Sequence, residues 1–105
     1  MNTDIAIVGM SCSFPDADSI GAYWENLKEG KQSIKKLSEE ELKLSGISDT
    51  LYNQENYVRA ASYISDIEHF DAGFFKYSPR EAAILDPQQR IMLELSHEAL
   101  ESAGY

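Results

Sequence analysis

After a polar Met1-Asn2-Thr3-Asp4, the chain opens on a continuous apolar run, Ile5-Ala6-Ile7-Val8-Gly9-Met10. Unbroken apolarity over so short a stretch, rich in branched side chains, predicts a strand near 4–10 buried on both faces, as in a mostly parallel sheet. Residues 11–18 lose periodicity and carry Pro15, Asp16 and Asp18, which predicts a loop. From Ile20 the spacing turns helical. Ile20, Tyr23, Trp24 and Leu27 share one face, so a helix is expected near 19–29, with Asp18 or Ser19 as N-cap and Gly30 as its stop. On this reading Trp24 is a core residue.

The middle of the chain is read from its caps. Ser38-Glu39-Glu40-Glu41 matches a capping box and predicts a short helix near 38–45 ending at Gly46. Residues 48–56 are polar and irregular, the expected surface loop. β-formers then predict a strand near 59–64. An aromatic loop follows over 66–75, anchored by Phe70, Phe74 and Phe75, with Gly73 allowing a tight turn. Ser78-Pro79-Arg80-Glu81 is the clearest local signal: Ser78 caps, Pro79 takes the first helical position and Glu81 closes the box. Asp86-Pro87-Gln88-Gln89 repeats that logic, because proline cannot sit inside a helix. Helices are therefore expected near 79–85 and 87–102, the second stopped by Gly104. Its main stripe is Ile91, Met92, Leu95, Ala99 and Ala103, and Leu93 and Leu100 widen it beyond one narrow face. Such a helix needs cover on more than one side. The fold class is α/β.

Composition narrows the function classes. The 105 residues are 43% hydrophobic and 26% charged, apolar enough for a core. The net charge of −9 disfavours nucleic acid and anionic membrane surfaces as partners. That acidity serves solubility or, alternatively, docking to a basic surface. The apolar start is too short for a membrane span of about 20 residues and lacks the basic flank of a signal peptide. Cys12 is the sole cysteine, so disulfides and multi-cysteine metal sites are excluded and a reducing cytoplasm is expected.

Candidate chemistry is sparse. Cys12 follows the opening run, but nothing in the sequence places His69 or His97 beside it, and a lone thiol is usually a small buried hydrophobe. His69 sits between Glu68 and Asp71 in the aromatic loop. His97 lies within a turn of Glu94, Glu98 and Glu101. Without a third ligand at helical spacing the two histidines make no metal site. Gly9 is followed by no phosphate-binding glycine pattern, so no cofactor is expected. The acidic pairs Glu39/Glu40 and Glu98/Glu101 read as solvated helix faces.

Three stretches together resemble a known family: residues 5–15 with Tyr23-Trp24-Glu25-Asn26-Leu27-Lys28-Glu29-Gly30; residues 66–75; and Ser78-Pro79-Arg80-Glu81-Ala82 through Asp86-Pro87-Gln88-Gln89-Arg90 to Gly104-Tyr105. In this order and spacing the chain is similar to the start of β-ketoacyl synthase (ketosynthase) domains of modular polyketide synthases. The resemblance implies a partial thiolase-like fold, the N-terminal part of the first of two related α/β halves. Residues 1–105 would form one incomplete domain, with the opening strand in a sheet and the last helix packed on it. It implies a homodimeric parent enzyme in which a cysteine takes an acyl chain from an acyl carrier protein. Two histidines then assist decarboxylation of a malonyl-type extender and carbon–carbon bond formation. By the same resemblance those catalytic residues lie downstream of Tyr105, and Cys12 matches a structural position. The usual pattern has arginine where Ser13 stands, often glycine where Asp16 stands, and often tryptophan where His97 stands. Arg80 is the candidate carrier-protein contact. Otherwise Arg80 and Arg90 are expected to pair with local carboxylates such as Glu94 and Asp86. The expected function is scaffold, without catalytic residues of its own. The alternative is a non-catalytic docking or dimerisation module, suggested by the wide apolar surface of the last helix.

Overall fold

A computed structural model describes residues 3–105. Seven elements follow one another: α1 (Ile20–Glu29), β1 (Lys35–Lys36), α2 (Glu39–Leu44), α3 (Asp49–Tyr52), β2 (Ala60–Ala61), α4 (Pro79–Ile84) and α5 (Pro87–Ala103). The predicted caps are in place. The Ser19 hydroxyl accepts from the Ala22 N–H at 3.2 Å, so Ser19 rather than Asp18 starts α1. Gly30 ends it at φ 64°, where a side chain would be strained. Both capping boxes close. The Ser38 N–H donates to the Glu41 carboxylate at 2.8 Å, and the Ser78 N–H donates to that of Glu81 at the same distance. α4 ends at Ile84 with Leu85 as its C-cap, and Asp86 caps α5, accepting from the Gln88 N–H at 2.8 Å. Gly104, at φ 75°, stops α5.

The strands differ from expectation. The run near 4–10 forms no ladder among the described residues, and Ile5 and Ile7 are 95% and 83% exposed. Its apolar pattern encodes burial, but no other strand within 3–105 lies beside it to accept its backbone groups. The strand near 59–64 contracts to Ala60–Ala61. It pairs antiparallel with Lys35–Lys36, in the register Lys35↔Ala61 and Lys36↔Ala60. That lysine pair carries no apolar signal. It becomes a strand because its backbone meets a partner, and the Leu37 N–H extends the pairing to the Arg59 carbonyl at 2.9 Å. Part of the expected loop over 48–56 is a helical turn, α3, whose Tyr52 is buried. In the aromatic loop the left-handed positions are Asp66 (φ 58°) and Lys76 (φ 60°), not Gly73.

Cover is also thinner than the apolar pattern demands. Trp24, read as a core residue, is 59% exposed, because no element among the described residues lies over that face of α1. Tyr23 finds only the Phe14 ring, at 4.5 Å between centroids. Among the described residues, Cys12, Ala17, Leu42 and Tyr52 are the buried apolar side chains. The accessible surface is 8685 Å², against about 5,900 Å² for a compact folded chain of this mass. The radius of gyration is 18.3 Å, against about 13 Å for a compact domain of this length.

What the fold does assemble is a seam. The opening segment runs along α5 at the small residues of its stripe. A β-carbon on Gly9 would lie 2.5 Å from the Ala99 carbonyl oxygen and 2.7 Å from the Ala103 nitrogen, so only glycine fits there. One turn back, the Ser11 hydroxyl donates to the Leu95 carbonyl at 2.6 Å. The expected packing of the opening segment on the last helix is therefore present.

Candidate functional site

Cys12 is the next residue along this seam, buried against α5. A cavity of about 260 Å³ opens beside it, with Asp18, Asp66, His69, Glu94 and Glu98 on its walls. The structure thus brings Cys12 and His69 to one cavity, which the sequence alone did not suggest. It does not make them a catalytic pair. His69 is largely exposed and turns to Asp66, at 3.7 Å. Burial pushes the Cys12 thiol above its ordinary range, and the Glu98 and Asp18 carboxylates push it further. Nucleophilic cysteines need the reverse, a nearby cation or helix N-terminus that favours the thiolate. The carboxylates that crowd this cavity face Ser13, the position where the resemblance expects arginine.

His97 belongs elsewhere. Its ring packs edge-on against Phe74 at 4.8 Å and Phe75 at 6.4 Å, and its Nε2 lies 3.4 Å from the Glu101 carboxylate. Phe75 in turn stacks on Phe70 at 5.2 Å, which ties the aromatic loop to α5. An aromatic surface is what this position needs, and imidazole supplies a smaller one than tryptophan. Asp16 takes the left-handed conformation (φ 59°) in which the resemblance expects glycine. Two contacts hold it there: its carbonyl accepts from the Asn26 amide at 2.9 Å, and its carboxylate accepts from the Lys35 ammonium at 2.8 Å. The Lys35 contact holds the Asp16 carboxyl below its ordinary range and Lys35 above its own.

The expected pairing of Arg80 and Arg90 with local carboxylates is not formed. Among the described residues neither makes an ion pair, and the Arg90 Nε is buried without a hydrogen-bond partner. The Asp86 carboxylate instead caps its own helix. Arg80 is exposed on α4. Among the described residues no group of three or more His, Cys, Asp or Glu side chains is arranged to hold a metal ion. Among them, too, no helix is long and apolar enough to cross a membrane.

One well-organised side chain carries no sequence signal. Arg59 donates from Nε to the Tyr52 carbonyl at 3.0 Å and from a terminal nitrogen to the Asn53 side-chain oxygen at 2.7 Å, and lies 4.9 Å from the Tyr52 ring centre. A lone arginine at a strand start gives no local hint of such a role. The close approach at Gly9 was missed too, although Ala99 and Ala103, small residues one helical turn apart, are the signal that marks such a place.

These features fit a partial thiolase-like fold in which the opening segment is seated on α5. The chain belongs to the β-ketoacyl synthase family: residues 2–105 match the β-ketoacyl synthase N-terminal domain. It is 46% identical over 101 residues to the polyketide synthase PksN of Bacillus subtilis, covering 96% of this chain and 2% of that protein. It is likewise 46% identical over 101 residues to the methylphloroacetophenone synthase of Cladonia uncialis, covering 96% of this chain and 4% of that protein. Its structure superposes on ketosynthase twelve of the bacillaene polyketide synthase of Bacillus amyloliquefaciens with a TM-score of 0.79 at 44% identity, covering 91% of this chain and 17% of that one. The partial thiolase-like fold is therefore that of a ketosynthase N-terminal segment. The chain spans less than a tenth of these curated relatives and about a sixth of that solved ketosynthase.

Proposed function

We propose that the chain is scaffold: the incomplete N-terminal part of a ketosynthase domain whose intact form catalyses decarboxylative condensation of a carrier-bound acyl chain with a malonyl-type extender. The observation that carries this is the match over residues 2–105 to the N-terminal domain of the family, together with an apolar surface left uncovered on the opening segment, α1 and α5. The segment contributes the seam between the opening residues and α5. The rest of the domain covers Ile5, Ile7, Trp24 and Met92 and supplies the nucleophilic cysteine and the two histidines. Its partners are that remaining part, a second copy of the domain in a homodimer, and an acyl carrier protein, in the cytoplasm. Arg80, exposed and unpaired by any described carboxylate, is a contact for an acidic carrier. Neither a cofactor nor a metal takes part in this role.

Cys12 is not the acyl acceptor. Incubating the chain with an acyl thioester and following its mass is expected to show Cys12 acylation no faster than that of a free thiol. Rapid, site-specific acylation would overturn the scaffold reading. A second reading, a docking or dimerisation module, draws on the exposed Met92 and Leu100 of α5. Light scattering on the eluting chain separates the two. A stable monodisperse dimer favours the module, and concentration-dependent association without a defined stoichiometry favours a scaffold missing its cover.

A further inference from the structure

A second cavity, of about 450 Å³, lies in the lobe built from β1, β2 and α3, and shares no wall with the cleft beside Cys12. Lys36, Tyr52, Asn53, Gln54, Tyr57 and Arg59 line it. Its chemistry runs against the rest of the molecule. The chain carries a net charge of −9, yet two cations meet here and no carboxylate stands on the wall.

Arg59 is already fixed in place. Its Nε is held by the Tyr52 carbonyl, one terminal nitrogen by Asn53 at 2.7 Å, and the other reaches Glu39, outside the cavity, at 3.4 Å. Tyr52, whose ring the guanidinium overlies at 4.9 Å, is buried. These contacts leave one N–H on each terminal nitrogen unspent. Lys36 is exposed and makes no ion pair among the described residues, so its ammonium donors are free. Tyr57, half-buried, adds a hydroxyl.

We propose that this cavity binds an anion, a carboxylate or phosphate group, between the Arg59 guanidinium and the Lys36 ammonium. A planar guanidinium with two parallel N–H groups suits both ligands. Because Arg59 is held in advance, little ordering entropy is lost when the anion arrives. The Glu39 contact is long and exposed, so an anion displaces it at small cost. This site is independent of the condensation chemistry proposed above.

The same anionic chemistry comes from a free inorganic ion or from an acidic peptide segment of a partner. The test is a titration of the isotope-labelled chain at low salt, once with inorganic phosphate and once with a short oligoglutamate peptide, following the Lys36, Tyr57 and Arg59 resonances. Saturable shifts at these residues are expected with at least one ligand, weakened about fivefold by Lys36→Gln. Lys43→Gln removes the same charge from α2 outside the cavity and should leave binding unchanged. Circular dichroism of both variants checks that the fold is kept. A response to phosphate alone assigns the site to a small anion, and a response to oligoglutamate alone assigns it to an acidic segment. Absence of saturable shifts with both ligands, or equal weakening by Lys43→Gln, overturns the proposal.

Discussion

Two regions of this molecule are held together in opposite ways. The lobe around β1, β2, α2 and α3 is closed by polar contacts within the single stretch 35–61: the Ser38–Glu41 box, the short ladder and the Arg59 fork. The seam between the opening segment and α5 joins residues more than eighty positions apart, through Gly9 at Ala99 and Ala103 and Ser11 at Leu95. The lobe buries Leu42 and Tyr52, while Leu44 and Val58 at its edge stay exposed. The seam seats Gly9 and Ser11 on α5 and leaves Ile5, Ile7 and Val8 in solvent. A region stabilised by local hydrogen bonds tolerates being a fragment. One stabilised by layer packing has as much structure as it has neighbours.

The contrast breaks most sharply at Gly9. Gly9→Ala places a β-carbon against the Ala99 and Ala103 backbone, and is expected to cost about 3 kcal/mol of seam stability, near the upper end of overpacking penalties. Urea unfolding followed by hydrogen exchange should show the α5 amides losing protection while those of the lobe keep it. Within the lobe the largest effect is at Arg59. Arg59→Met removes the bonds to Tyr52 and Asn53, and is expected to cost about 2 kcal/mol, read as loss of protection at α3 and β2 with α5 unchanged.

Smaller effects sharpen the comparison at the caps. Ser78→Ala should cost about 1 kcal/mol, visible as fraying of α4 by circular dichroism or amide exchange. The capping boxes also predict a pH dependence. The Ser78 hydroxyl and N–H hold the Glu81 carboxyl below its ordinary range, and the Ser38 N–H and hydroxyl do the same for Glu41. A lowered carboxyl pKa adds stability above the unfolded value, about 4.3, that is lost as pH falls through the folded one. Amide protection of α2 and α4 should therefore be flat above about pH 5 and fall below about pH 4. Least is expected from Asp16→Gly. It relieves a left-handed residue and gives up the exposed Lys35 contact, opposing changes that should leave the midpoint of thermal unfolding nearly where it was.

Four of the five helices were legible because their signals are local; α3, which has no side-chain cap, was not. Ser19, Ser38, Ser78 and Asp86 each announce a start within three residues, and Gly30 and Gly104 each announce a stop. The strands were not. Lys35–Lys36 has no apolar alternation and pairs only because Ala60–Ala61 lies beside it. The run near 4–10 has every mark of a buried strand but no ladder partner among the described residues. The candidate site was half legible. The burial of Cys12 is what a solitary thiol leads one to expect, whereas its shared cavity with His69 and the fork at Arg59 depend on contacts that no spacing encodes.

By itself, then, the sequence determined most of the helix boundaries and the family, because caps, prolines and motif spacing act over a few residues. Only the tertiary structure decided which apolar residues are covered. Ile7 and Leu95 look alike in the chain, yet one is in solvent and the other lines a seam. Burial depends on which neighbour lies across from a residue, and that neighbour is set by the path of the whole chain.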